Sequence, residues 1–321
     1  MVAVTGASGL IGRHIVEKLV SEGTVVVALV RNPSAAFPAQ VIVRHADMLD
    51  PVAMEVALEG VSAVIHTAAF VSFNPRKRKD IIEVNVDGTR HLINLCLRMG
   101  IKHFIHISSV AALGRKPGEV VTEDHLWTGL GATDYALSKY LAELEVYRGA
   151  EEGMIVNLLN PSVVLSASQL HRSSATLFDY VWNENRFYTH GMLNYIDVRD
   201  VADAVHLLLL QPQPGQKFIL SAGSISYKEF FTRVATQWKK EAPNIKIPLA
   251  LAVMFGWLEE IRSLLLRREP LVTRQSAAIT VRSYKYDNSR ARALLGVPFR
   301  EINQTIAWCC EDYKQNIMRN K

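Results

Sequence analysis

The stretch Val2-Ala3-Val4-Thr5-Gly6-Ala7-Ser8-Gly9-Leu10-Ile11-Gly12-Arg13 decides how the rest of the chain is read. An apolar run at 2–5 leads into three glycines spaced Gly-x-x-Gly-x-x-Gly, and residues 10–22 then carry helical periodicity. That order predicts a buried strand turning sharply into a helix. Such a turn gathers free backbone N–H groups and the positive end of a helix dipole at one point, where a pyrophosphate can sit. A glycine string elsewhere would be an ordinary turn. At this junction it reads as a dinucleotide loop, with Gly6, Ser8, Gly9, Leu10, Ile11 and Gly12 around the phosphates.

Outward from the loop, strand and helix patterns alternate. Apolar runs at 24–30, 41–44, 63–67, 103–108 and 155–160 predict strands, and 81–99 and 134–152 predict long helices. Short strands alternating with helices specify an α/β fold, a doubly wound parallel sheet covered on both faces. After Pro161 the rhythm changes. Helical patterns at 173–183 and 198–210 flank short extended segments at 187–195, and one more strand falls at 217–221. Beyond Tyr227 helices dominate, broken by Pro243, Pro248, Pro270 and Pro298. The expected division is a dinucleotide-binding domain of 1–160 and 190–222, with a smaller, mostly helical substrate lobe of 161–189 and 223–321.

At 321 residues the chain can bury a sizeable core, and its apolar half with 21% charged residues reads as globular. The net charge of +5 is scattered, which suits a phosphorylated ligand and is too diffuse for nucleic acid. The densest run, Arg76-Lys77-Arg78-Lys79, reads as a solvated loop. Cys96, Cys309 and Cys310 supply no disulfide framework, so a reducing, cytoplasmic setting is expected, with no signal peptide before the first strand. No Cys/His or carboxylate set has zinc spacing, and His103 and His106 fall on opposite faces of a strand, so no metal is expected.

Two further positions carry chemistry. The second strand runs into Arg31 with no carboxylate nearby. An acidic residue there would hold a ribose 2′-hydroxyl, whereas an arginine accommodates a 2′-phosphate. Arg31, with Arg13 after the third glycine, therefore favours NADP(H) over NAD(H). Later, Tyr135 and Lys139 lie four residues apart on a predicted helix and share one face. A tyrosine acting near neutrality needs its pKa lowered by about 3 units, about 4 kcal/mol, and an adjacent ammonium is expected to help supply that.

With both ends of the site in view, the chain resembles the extended short-chain dehydrogenase/reductases over nearly its full length. It looks closest to the branch of dihydroflavonol reductases, cinnamoyl-CoA reductases and 3β-hydroxysteroid dehydrogenases. The ordered landmarks are the glycine loop, Asp47, His66-Thr67-Ala68-Ala69, Asn85-Val86-Asp87-Gly88-Thr89, Ile107-Ser108-Ser109, Tyr135 with Lys139, Asn160-Pro161-Ser162, and Tyr195-Ile196-Asp197-Val198-Arg199-Asp200. The resemblance implies a Rossmann fold and a hydride-transfer reaction. It implies that Asp47 and Met48 meet the adenine, that Thr67, Ala68 and Ala69 line the cofactor's path, and that Asn85 steadies the active-site helix. It also implies that Pro161 and Val163 border the nicotinamide and that Lys139 holds its ribose. Ser109 would bind the substrate carbonyl and Tyr135 would exchange the proton. Ser108 competes for the serine role; counting with Gly114 as an anchor favours Ser109. A homodimer through 81–99 and 134–152 is expected by the same resemblance.

Absences narrow the reaction. The Asp-Glu pair of sugar-nucleotide dehydratases is replaced by Val110 and Ala111, and Leu193 stands where epimerases keep a phosphate-clamping arginine. Arg172, Arg282 or Arg290 could replace that clamp, so an epimerase is the alternative to a reductase of apolar or aromatic carbonyls. A regulatory protein that holds NADP without turnover is the alternative of another class. Trp127, Phe178, Tyr180, Trp182 and Tyr188 occur where the family builds its substrate pocket. The apolar stretch near 247–266 is too short to span a bilayer and reads as a core or lid helix, or as an interfacial one edged by Arg267 and Arg268.

Overall fold

The computed structural model of the chain describes all residues except 33–35, 116–117, 130–131, 168–173, 249–250, 252–253, 255–283 and 320–321. At its centre is a seven-stranded sheet of β1 (Val2–Thr5), β2 (Val26–Val30), β3 (Ile42–His45), β4 (Ala63–His66), β5 (His103–Ile107), β6 (Ile155–Pro161) and β7 (Lys217–Leu220). Their spatial order is β7-β6-β5-β4-β1-β2-β3, and every neighbouring pair is parallel. The central strands are buried at almost every position, so valine, isoleucine and alanine run consecutively instead of alternating with polar residues.

Helices cover both faces. Helix α1 (Leu10–Ser21) lies beside α5 (Val198–Leu210) on one face, burying Ile15, Val16, Leu19, Val201 and Val205. On the other, α2 (Pro51–Ala57), α3 (Gly88–Met99) and α4 (Asp134–Glu151) bury Met54, Leu92, Ile93, Cys96 and Val146. The strand order reverses between β1 and β4, which opens a crevice at their carboxyl ends. The apolar pattern does not announce α2. Its signal is the cap: Asp50 accepts from the N–H groups of Val52 and Ala53, and Pro51 opens the helix. The helix expected at 81–99 is interrupted by a π turn over Glu83–Asp87.

The second lobe holds a three-stranded sheet of Val163–Leu165, Met192–Asp197 and Gly223–Ser226, with helices Ala175–Trp182, Tyr227–Trp238 and Ile302–Arg319. Three expectations need correcting. Residues 192–197, placed with the dinucleotide domain, pair with this second sheet. Residues 289–299, placed in the lobe, return to the main core through Ala291, Leu295, Val297 and Phe299. The aromatics expected near the substrate pocket include packing residues: Phe178 and Trp182 interlock with Phe230, Trp238 and Tyr313 at ring-centre distances of 5.0–6.3 Å, which makes them the lobe's own core. Tyr180 donates its hydroxyl to the Phe187 carbonyl, Trp127 stacks on Tyr140 at 4.8 Å, and Tyr188 lies 5.7 Å from the Lys228 ammonium.

The apolar stretch at 247–266, with Arg267 and Arg268, lies almost wholly outside the described residues. Among those described, no helix is long and apolar enough to cross a membrane. Ion pairs linking Asp87, Arg90, Glu145, Arg148 and Glu152 at 2.6–2.9 Å run across the outward sides of α3 and α4, whose apolar stripes face the sheet.

Candidate active site

The loop after β1 is built for close approach. Gly6 adopts φ +63°, and a Cβ there would stand 2.7 Å from the Ala68 nitrogen. A Cβ on Gly12 would stand 2.3 Å from the Gly6 carbonyl oxygen. Gly9 donates its N–H to that same oxygen at 2.8 Å. Helix α1 then starts with no side-chain cap and no acidic residue in its first turn. Its leading N–H groups and dipole are thus available to an anion, and the cradle fits a pyrophosphate. Thr67 donates its hydroxyl to the Thr5 carbonyl at 2.6 Å and the Ala68 N–H donates to the Thr5 hydroxyl at 3.3 Å, so the segment 67–69 borders the loop.

Other expected cofactor positions surround this cradle. Arg31 is exposed directly after β2, and Asp47 is exposed with its carboxylate accepting the Leu49 N–H at 2.9 Å. Met48 is buried against Gly88. Pro161 ends β6, and Val163 opens the next strand, 40% exposed. Asn85 sits in the π turn, a feature common at functional sites, and its side chain is consumed structurally. It accepts the Phe70 N–H at 2.7 Å and donates to the Phe70 carbonyl and the Ser138 hydroxyl, stitching the loop after β4 to α4. Arg13 lies along its own helix toward Glu17 at 3.4 Å and borders a cleft of about 510 Å³ with Arg199, Arg300 and Trp308. Neither Ser109, Tyr135 nor Lys139 lines that cleft, and Arg199 and Arg300 are matched by Asp197 and Asp203 at 2.6 and 2.9 Å.

Helix α4 carries the Tyr135 and Lys139 pair. Thr133 caps it by accepting the Ala136 N–H at 3.1 Å, which fixes Tyr135 in the first turn and Lys139 in the second. The Lys139 ammonium is 2% exposed and donates to the Ile107 carbonyl at 2.7 Å. Burial draws its pKa down to about 8, against the opposing field of Glu143. Tyr135 is partly buried with its ring edge-on to Phe73 at 6.1 Å. Burial pushes the phenol above its ordinary range, and a hydrogen bond from the Ser109 hydroxyl pulls it back. The expected lowering by Lys139 is therefore not what sets Tyr135 in this arrangement, because desolvation dominates and the ammonium points to a carbonyl.

The structure separates the two serines. Ser108 is buried and donates to the Glu143 carboxylate at 2.5 Å. Ser109 accepts the Ala111 N–H at 3.1 Å and lies near enough to Tyr135 to lower its pKa. Sequence reasoning missed Glu143 and its partner Lys217. Glu143 was legible as the third residue of the i, i+4 stripe begun by Tyr135 and Lys139; Lys217 offered no local signal.

Beneath α4, His66 is fully enclosed. Thr89 donates its hydroxyl to the Asn85 carbonyl at 2.6 Å, so it accepts from His66 Nε2 at 3.0 Å, and His66 Nδ1 accepts from Thr5 at 2.7 Å. Burial and the Lys139 charge draw the His66 pKa down to about 3, and His106, 5.0 Å away ring to ring, is lowered for the same reasons. An unfolded histidine protonates near 6.5, so this contribution to stability is complete above that pH and is lost as pH falls below it. His66 alone should remove about 3 kcal/mol by pH 4.5. Urea unfolding at pH 7 and 4.5 reads this loss. His66→Gln, which cannot take up the proton, should lose correspondingly less, and an equal loss would contradict the assignment.

A parallel sheet with a reversed strand order, a glycine cradle at its switch point, and a tyrosine–lysine helix beside it define a dinucleotide-dependent enzyme fold. The chain belongs to the NAD dependent epimerase/dehydratase family, whose model matches residues 2–222. It is 30% identical to a Synechocystis sp. protein provisionally named dihydroflavonol 4-reductase, over 95% of this chain and 92% of that one. It is also 30% identical to Sterol demethylase protein B of Methylococcus capsulatus, over 92% of each. Among solved structures, the crystal structure of gox2253 matches with a TM-score of 0.84 and 26% identity over 98% of both chains. The chain is thus an oxidoreductase-type member of the family, with a Rossmann-type fold.

Proposed function

We propose that the protein is an NADP(H)-dependent reductase that interconverts a ketone or aldehyde and its alcohol on an apolar or aromatic small molecule. The observation that carries this reading is the placement of Ser109 beside Tyr135, with Lys139 one turn further along the same helix face. Two neighbouring hydroxyls can both turn to an entering carbonyl oxygen and stabilise it as negative charge builds, and the phenol passes its proton to that oxygen. Lys139, an ammonium in a dry setting, is placed to hold the ribose hydroxyls of the dinucleotide. The bound dinucleotide supplies hydride. The segments 6–13, 31, 47–48 and 67–69, with Pro161 and Val163, form its bed.

Several features support an uncharged substrate. Leu193 is buried in the lobe core, and Arg290 is held by Asp124 at 2.7 Å and Glu123 at 3.8 Å. Neither leaves a free clamp for a sugar-nucleotide pyrophosphate; Arg172 and Arg282 lie outside the described residues. Dihydroflavonol and sterol, in the names of the two relatives, are uncharged ring systems.

Fluorescence titration with NADPH and NADH tests the cofactor, and a carbonyl panel followed by NADPH oxidation tests the reaction. NADPH is expected to bind at least tenfold tighter than NADH, and Arg31→Ala should remove most of that preference, since a charged hydrogen bond contributes about 1.5–3 kcal/mol. Equal affinity in the wild type would refute the Arg31 assignment. NADPH bound tightly with no carbonyl reduced would favour a regulatory protein without turnover.

A further inference from the structure

Behind the Ser109–Tyr135–Lys139 face lies a polar layer that the proposed reaction leaves unused. Glu143, 1% exposed, stands one turn beyond Lys139 on the buried stripe of α4. Its carboxylate accepts from the Ser108 hydroxyl at 2.5 Å, Asn160 Nδ2 at 2.6 Å and Lys217 Nζ at 2.6 Å. Those donors come from the turn after β5, the end of β6 and the start of β7. Asn160 Nδ2 also donates to the Ser109 carbonyl at 2.9 Å. One carboxylate therefore ties the helix bearing Tyr135 and Lys139 to the two-residue turn bearing Ser109.

A buried ion pair is a poor way merely to stabilise a fold, because desolvation costs several kcal/mol per ion and apolar residues of similar volume often serve as well. What a carboxylate adds is a fixed negative potential beside Lys139. The other groups facing that ammonium do not provide one. His66 on β4 and His106 on β5 are kept neutral by burial, Ile107 offers a carbonyl dipole, and Tyr135 is a phenol on the same helix. Among the described residues, Glu143 is the anionic side chain whose charge raises the Lys139 pKa, from one helical turn away. Around Glu143 itself stand Lys217, Ser108, Asn160 and, on its own helix, Tyr147, whose ring centre lies 5.4 Å from the Lys217 ammonium.

We propose that Glu143 is a positioning residue for this reaction, supplying the negative field under which Lys139 stays an ammonium and holding Ser109 at the Tyr135 hydroxyl, with Lys217 as its counter-cation. This rests on the placement of Lys139 at the cofactor ribose. The test is NADPH titration by fluorescence between pH 6.5 and 9.5, using the full-length wild type, Glu143→Gln, Lys217→Met and Lys139→Met. Wild-type affinity should fall as pH rises through about 8, the value to which burial draws the Lys139 pKa. In Glu143→Gln that fall should move down by roughly one pH unit, weakening binding several-fold at pH 7.5 and hardly at pH 6.5. In Lys217→Met it should move up, because the carboxylate then acts on Lys139 alone.

Opposite displacements from two changes at one ion pair are not what a loosened fold produces. If Lys139→Met abolishes the alkaline fall while Glu143→Gln keeps the wild-type profile, the Glu143 role is wrong and the ribose placement stands. If Lys139→Met keeps the wild-type profile, the ribose placement itself fails. Should Glu143→Gln not fold, Lys217→Met decides: an upward displacement supports the role, and an unmoved or lowered profile overturns it.

Discussion

Tyr135→Phe should lower turnover of any accepted carbonyl by about a thousandfold or more while NADPH affinity stays within about threefold. In the proposed reaction both the proton donor and one of two oxyanion donors leave with a single oxygen, and each such loss typically costs about 10²–10³ in rate. The ring itself remains. Its edge contact with Phe73 at 6.1 Å is kept, and Lys139 keeps its bond to the Ile107 carbonyl. The fold should therefore be nearly untouched, and single-turnover kinetics with saturating NADPH isolates the chemical step. Turnover within tenfold of wild type would overturn the mechanism. Ser109→Ala makes a useful companion, since it removes the hydroxyl that opposes the desolvation of Tyr135.

Gly12→Ala should weaken NADPH binding at least a hundredfold and lower stability by about 2–3 kcal/mol, the usual cost of forcing a methyl into filled space. The new carbon would stand 2.3 Å from the Gly6 oxygen and 2.8 Å from the Thr67 hydroxyl oxygen. Neither neighbour can yield cheaply. The Gly6 oxygen is backbone and accepts from Gly9, and the Thr67 hydroxyl is tied to the Thr5 carbonyl at 2.6 Å. The loop must open, which disperses the N–H groups that would meet a phosphate. Gly23→Ala is the matched control. Gly23 has φ +76° with nothing within 4 Å of a new Cβ, so it should cost about 1 kcal/mol of backbone strain and leave NADPH binding alone. Thermal melts and cofactor titration of both variants separate the two effects. Wild-type NADPH affinity in Gly12→Ala would remove the loop from the site.

The main sheet could be read from the sequence because each buried strand is a short β-branched run and each crossover helix has its own apolar stripe. The turn chemistry of the glycine loop was equally local. What escaped reading was non-local. The π turn at Glu83–Asp87 leaves no mark in the periodicity, since Asn85 earns it by bonding Phe70 and Ser138 across the fold. The aromatic residues of Ala175–Trp182 carry the same pattern whether they face a ligand or a neighbouring helix, and tertiary packing chose the helix. Ser108 and Ser109 differ only in which way the chain turns after β5. The strand Met192–Asp197 looks like any other sheet strand, yet it pairs with the second sheet.

The ion pair between Glu143 and Lys217 joins positions 74 apart. A chain emerging from the ribosome thus completes the helix with the tyrosine and lysine well before β7 can deliver its cation. Until then, docking that helix would bury a carboxylate lacking its cationic partner, so α4 should settle only when the last strand of the main sheet arrives. Truncation just ahead of residue 217 should yield a nascent chain whose glycine loop is already shaped but whose helix α4 is still protease-sensitive. Protection of α4 from protease before residue 217 is made would break this link between the helix and the sheet's last strand.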